Sequence, residues 1–307
     1  MGIIDEYIKK LISNLPDNIT NVTEPKNIDL VLDGGIFNGS YLVGALYFLK
    51  EMEKQKYIKI DRISGCSVGS IVGFLYYIDG LDLMSQLYEI VHKDFKKKYQ
   101  LTFLKELKKH LKEHIPDDIC QRINNKFFIS YNNITNGSKV IKSEYIDVDD
   151  VINTIIKSCY IPYLIDGDML HENKYIDGIN PFIFNKESHK KILYLDLFGY
   201  DKIGNLLNVK NEKSNFHRIL SGLLDVHSFF IKESNTQMCS YVNDWNYSNK
   251  SFNFLKQTIE RILIYFTYIL IFINNNISDE FKETVLSKIL SKIAYDVFII
   301  LLESYCL

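Results

Sequence analysis

Residues 58–78 read IKIDRISGCSVGSIVGFLYYI, and their order decides the fold. Ile58–Ile63 is a short run with isoleucine at every second or third place, Gly65-Cys66-Ser67-Val68-Gly69 is a glycine-bounded turn, and Ser70–Ile78 is an apolar helix. The same order occurs once upstream. There the strand Ile28–Leu32 ends in Asp33-Gly34-Gly35, followed by the helix Ser40–Lys54 with Leu42, Leu46 and Leu49 at helical spacing. Two consecutive strand–turn–helix units imply parallel strands joined by right-handed crossovers. The chain is therefore read as α/β with a mostly parallel sheet.

Working outward, Ile3–Leu15 is an amphipathic start, and Leu83–Lys97 and Leu101–His114 read as helices stopped near Pro116. Phe127–Asn132 and Lys139–Ser143, joined through Asn136-Gly137, read as a hairpin. Asp149–Cys159 is a short helix and Lys191–Phe198 a buried strand. From about Asn215 the pattern is helical to the C-terminus, with polar linkers at Tyr241–Ser251 and Asn274–Asp279. This divides the chain into a mixed α/β core, residues 1–210, and a helical C-terminal extension, residues 211–307. The run Ile262–Ile273 is shorter than the roughly 18 to 20 apolar residues that span a bilayer. It reads most simply as a buried core helix, the alternative being an apolar docking face for lipid, and no transmembrane helix is expected.

Composition narrows the partners. With 36 basic and 38 acidic side chains in 307 residues, the net charge is −2. Phosphate neutralisation needs a basic field, so nucleic acid is not an expected partner. Cys66, Cys120, Cys159, Cys239 and Cys306 are scattered and show no CxxC spacing, as in reduced thiols. Asp5 and Glu6 occupy the place of the basic stretch of a signal peptide, so a cytoplasmic protein is expected. Glu6 also breaks the myristoylation motif that Gly2 suggests. Locally, Lys93–His114 holds eight lysines against Asp94, Glu106 and Glu113. Such a run is ordinarily a solvated helix face, and it could also bring the protein to an anionic membrane surface.

Gly65-Cys66-Ser67-Val68-Gly69 is G-x-S-x-G between a strand and a helix, the context that makes it a nucleophile elbow. The tight turn pushes the Ser67 hydroxyl out at a helix N-terminus, where the dipole favours developing negative charge. The turn at Gly34, Gly35 and Ile36 belongs to the adjacent βα unit, which puts its main-chain amides beside Ser67 as oxyanion donors. Neither G-x-G-x-x-G nor the Walker pattern is satisfied there. Tyr175-Ile176-Asp177-Gly178-Ile179-Asn180-Pro181 places a carboxylate on a turn that could project into the same cleft.

Together these signals resemble the patatin-like phospholipase family: a glycine-rich loop, G-x-S-x-G soon after, and D-G-[GA] about a hundred residues on. Ser158-Cys159-Tyr160-Ile161-Pro162 resembles the helix and Ile-Pro lead into the acid-bearing strand, and Asn180-Pro181 the Asn-Pro after it. The resemblance covers about Ile28 to Leu197. It implies a three-layer core and a phospholipid or acyl-lipid substrate, hydrolysed by a Ser67–Asp177 dyad without metal or cofactor. A free aspartate ionises near 3.9 and is a poor base for a hydroxyl, so Asp177 should be buried. Two departures stand out: Ile36 replaces the loop's third glycine and Asn38 its basic residue. Ile36 resists positive φ, and Asn38 supplies no cation. The alternative they suggest is a catalytically impaired patatin-fold protein that binds lipid or a partner.

Two rival chemistries use histidine. A Ser–His–Asp hydrolase would draw its base from His171, His189, His217 or His227, but its elbow normally follows several strands, and only one βα unit precedes Ser67. His110-Leu111-Lys112-Glu113-His114 matches an inverted zinc-protease pattern, although both histidines edge an apolar helix face and read as boundary residues.

Overall fold

The computed structural model describes residues 2–199, 202–210, 212–278 and 283–305. After α1 (Gly2–Ser13) come β1 (Lys26–Leu32), α2 (Gly39–Lys54), β2 (Ile58–Cys66) and α3 (Val68–Tyr77). Next are α4 (Leu83–Lys98), β3 (Phe127–Asn133), β4 (Ser138–Lys142), α5 (Val148–Ser158) and β5 (Tyr175–Ile176). Then follow β6 (Lys191–Leu195), α6 (Phe216–Lys232), β7 (Cys239–Tyr241), α7 (Tyr247–Asn276) and α8 (Val285–Tyr305).

The strands form one seven-stranded mixed sheet in the order β4-β3-β2-β1-β6-β7, with β5 on β3. Pairings β1–β2, β1–β6 and β2–β3 are parallel. Antiparallel partners, β4, β5 and β7, close the sides. The architecture is α/β, as the two strand–turn–helix units require.

Both faces of the central strands are covered, which is the usual environment of parallel strands. On β1 the alternation is visible directly. Ile28, Leu30 and Leu32 enter the main core, whereas Val31 joins Ile192 and Tyr194 of β6 in a second cluster capped by Phe184 and Val242. Successive side chains point to opposite faces, so buried Asp29 and Asp33 lie on the face of Val31. On the other face α6 packs along α2.

Four sequence expectations need correction. Leu101–His114 is not one helix: 3₁₀ turns at Thr102–Glu106 and Lys112–His114 flank a five-residue α-helix, Leu107–Leu111. Phe103, Leu104, Leu107 and Leu111 still face the core, as their helical spacing suggests, but the backbone tightens into 3₁₀ turns on either side of Leu107–Leu111. The region beyond 211 is not helical throughout, because Cys239–Tyr241 forms an edge strand on β6, too short to show alternation. The linkers shrink as well, since α7 runs from Tyr247 to Asn276. Finally, Ile262–Ile273 is not a buried core helix. Ile262 is 60% exposed, Tyr265 70% and Phe272 59%. The buried residues of α7 among those described are polar: Lys256, Glu260 and Thr267.

Candidate active site

β2 delivers the elbow. Ser67 follows its last residue with φ 49° and ψ −132°, a conformation that costs an L-residue on the order of 1–3 kcal/mol and persists only where the surroundings enforce it. The flanking glycines are sterically required. A Cβ on Gly65 would stand 2.6 Å from the Gly69 carbonyl oxygen, and one on Gly69 would stand 2.6 Å from those of Leu32 and Asp33. The start of α3 therefore packs directly on the end of β1, which brings Gly34 beside Ser67: a Cβ on Gly34 would lie 3.2 Å from that of Ser67.

Asp177 emerges from β5 onto the same spot. Its side chain is buried, and burial pushes its pKa up from 3.8 to about 6, opposed by the Ser67 hydroxyl and the Ile179 amide. The Ile179 N–H donates to Oδ1 at 2.7 Å. Oδ2 is buried without a hydrogen bond of standard geometry among the described residues. The Ser67 hydroxyl thus approaches the carboxyl closely enough to favour its charged form without completing a bond of standard geometry. Ser67 and Asp177 lie 110 positions apart in the chain, and the fold brings them together.

Ser158, at the end of α5, ties the two halves. Its hydroxyl accepts the Ser67 N–H at 2.9 Å and donates to the Ser130 carbonyl at 2.7 Å. Its own carbonyl accepts the Gly178 N–H at 3.2 Å. The sequence singled out this stretch only as a lead into the strand. Behind Asp177, Asn132 donates to its carbonyl at 2.8 Å and also reaches Glu260 of α7. Glu260 pairs with Lys139 at 2.9 Å and accepts from Asn180 at 2.9 Å. Neither Glu260 nor Lys139 was singled out from sequence. For Glu260 the signal is its spacing with Lys256 and Thr267, which puts the three on one face of α7; for Lys139, in the short strand β4, the sequence holds none.

The glycine loop contributes unequally. The Gly34 N–H donates to Asp33 Oδ1 at 3.0 Å, so this amide is already engaged. The amides of Gly35 and Ile36 have no acceptor among the described residues. Ile36 adopts φ 43°, in the left-handed region that β-branched residues avoid. Ile179, in place of the small residue after Asp-Gly, is also left-handed at φ 52°. The second departure has a structural answer. Buried Asn38 donates to the Leu197 and Lys202 carbonyls, and its Oδ1 accepts from Arg218 at 2.6 Å. Arg218 of α6, fully buried and paired with Glu212, supplies the cation that anchors the loop.

From Ser67 a pocket of about 620 Å³, partly open to solvent, runs between α3, α4 and the Leu101–Leu104 turn. Ile71, Met84, Leu87, Val91 and Phe103 make its walls almost wholly apolar. Such a space accepts a hydrocarbon chain and offers a charged substrate nothing. His171, His189, His217 and His227 do not line it; the first three lie beside Glu172, Glu187 and Glu212, and half-buried His227 packs against the Phe48 ring. His110 and His114 fall on either side of the helix break at Leu111, and no group of three metal-ligating side chains occurs among the described residues.

The model of the patatin-like phospholipase family matches residues 30–182. Among curated proteins, 1-acylglycerol-3-phosphate O-acyltransferase Pnpla3 of Mus musculus is 28% identical over 152 residues, 46% of this chain and 37% of that protein. Its Homo sapiens counterpart of the same name is 28% identical over 153 residues, 46% of this chain and 31% of that protein. The chain therefore spans about a third of the length of these relatives.

Proposed function

Since residues 30–182 are a patatin-like phospholipase domain, we propose that the protein is a lipid acyl hydrolase working through Ser67 and Asp177. The observation that carries this is the strained Ser67 facing a buried carboxyl at the end of an apolar pocket. Ser67 Oγ attacks the ester carbonyl carbon while Asp177 accepts the hydroxyl proton. The amides of Gly35 and Ile36 hold the oxyanion. The tetrahedral intermediate collapses, the alcohol leaves with the proton from Asp177, and the acyl group remains on Ser67. Water, deprotonated by Asp177, then attacks the acyl carbon; the fatty acid departs and Ser67 regains its proton. A pKa near 6 suits this base, ionised at neutral pH yet a stronger acceptor than a free aspartate.

The names of the relatives favour a second outcome from the same intermediate, in which a lysolipid such as 1-acylglycerol-3-phosphate takes the acyl group in place of water. Measuring free fatty acid against acylated product, with and without that acceptor, separates the two. For the dyad itself, Ser67→Ala is expected to lower ester turnover by about 10⁴-fold or more. Wild-type turnover in that variant refutes the assignment. Failure of a fluorophosphonate to label Ser67 in the wild type favours the impaired, lipid-binding alternative.

The substrate side of the reading extends to a surface. α7 turns Lys256 and Glu260 inward and Phe254, Leu255, Ile262 and Phe266 outward, the reverse of a solvated helix. On α8, Leu286, Ile289, Leu290 and Ile293 are likewise exposed. No helix among the described residues is long and apolar enough to cross a membrane. The end of α8 meets Tyr99, beside the lysine-rich end of α4, through Glu303. We infer that apolar helices and lysines together rest on an anionic lipid surface.

A further inference from the structure

The carboxylate immediately before the glycine loop is held by a residue from the far end of the chain. Asp33 is fully buried, and its Oδ1 is taken by the Gly34 amide. Its Oδ2 accepts from the Leu197 N–H at 3.3 Å and from Lys256 Nζ at 2.5 Å. Lys256, buried on α7, also donates to the Tyr194 hydroxyl at 2.9 Å and lies 3.5 Å from Asp196. Lys256, Tyr194, Asp196 and the Cys66 thiol are the titratable groups facing Asp33 from α7, β6, the segment after β6 and the end of β2. Among them Lys256 alone carries positive charge.

A buried acid two residues before the Gly35 amide is a liability for the chemistry. The oxyanion develops negative charge at the Gly35 and Ile36 amides, and a bare carboxylate behind them opposes it. With an effective dielectric constant of about 20, one uncompensated charge about 8 Å away slows such a step by on the order of 10- to 100-fold. Removing the acid is not free either, because its two oxygens organise the Gly34 and Leu197 amides.

We propose that Lys256 is a positioning residue for the glycine loop, supplying the counter-charge that lets Asp33 order the loop without opposing the oxyanion. This rests on the ester-hydrolase reading above. It makes the first turns of α7 part of the working site, though they lie far from Ser67 in sequence. Burial pushes the Asp33 carboxyl up and Lys256 pulls it back, while the Lys256 ammonium is held well above its usual value by Asp33 and Tyr194. In the intact pair the lysine stays charged as Asp33 ionises and on through the mildly alkaline range. Without it, Asp33 is neutral at low pH and becomes an uncompensated charge as pH rises.

The test is the pH profile of fluorophosphonate capture by Ser67, and of short-chain ester hydrolysis, in wild type, Lys256→Met, Lys256→Arg and the double variant Asp33→Asn/Lys256→Met. From about pH 7 to about 10, Lys256→Met is expected to lose on the order of 10-fold or more of its rate, while wild type and Lys256→Arg hold theirs. The double variant, with neither charge, is expected to regain the flat profile. If Lys256→Met does not fold, the double variant is expected to restore both folding and labelling. A Lys256→Met profile that parallels wild type, or a double variant no better than the single one, overturns the inference and leaves the dyad standing. A wild type that neither labels nor hydrolyses removes the dyad reading, and the inference with it.

Discussion

Asp177→Asn is expected to stabilise the protein while abolishing its ester hydrolysis. Folding moves the Asp177 carboxyl from 3.8 to about 6, chiefly by taking it out of water. Each pKa unit corresponds to about 1.4 kcal/mol, so the ionised side chain destabilises the native state by about 3 kcal/mol at neutral pH. The sign follows from which state holds the proton. Below about pH 4 both states are protonated and the penalty is absent. Between about pH 4 and 6 the unfolded carboxyl is ionised and the folded one is not, so the penalty grows; above that it is complete. Asparagine keeps an acceptor for the Ile179 amide and carries no charge. Thermal melts of both proteins across this range are expected to coincide at the acid end and separate by several degrees at neutral pH, at roughly 2–4 °C per kcal/mol. Ester turnover in the variant is expected to fall by about 10⁴-fold. A variant no more stable than wild type at neutral pH, or a gap independent of pH, refutes the idea that the site stores the energy of a buried charge.

Ile36 offers a backbone test. Glycine is ordinarily about 0.5–1 kcal/mol worse than alanine, but at φ 43° the order is expected to invert, Ile36→Gly exceeding Ile36→Ala in stability by about 1 kcal/mol in denaturant melts; the ordinary order shows that the left-handed turn carries no strain. Vesicle sedimentation addresses the lipid surface. Replacing exposed Lys96, Lys97 and Lys109 by glutamine is expected to weaken binding to anionic vesicles about fivefold per lysine at low salt, and indifference to both charge and salt rules the surface out.

The strand–turn–helix order around Gly34 and Ser67 was legible because it is local. Glycines crowd where strand and helix pack too closely for a Cβ, and that crowding leaves a mark in consecutive residues. Ser158 and Asn132 left no comparable mark, since a serine or asparagine reads alike whether it faces solvent or spans two loops. The loop substitutions were legible as departures but not in their consequence. Ile36 takes positive φ regardless, and the cation missing at Asn38 arrives from Arg218, 180 positions away. The C-terminal helices were misread for a physical reason. An apolar run is the same string whether it faces a core or an external surface, and only the packing of Lys256 and Glu260 against the sheet shows which way α7 is turned. Sequence alone determined the local backbone chemistry of the two turns and the parallel strands behind them, because those follow from sterics between neighbours. The tertiary structure decided which distant charges and hydrogen bonds converge on Asp33 and Asp177, because long-range electrostatics depends on distances in space that no spacing along the chain encodes.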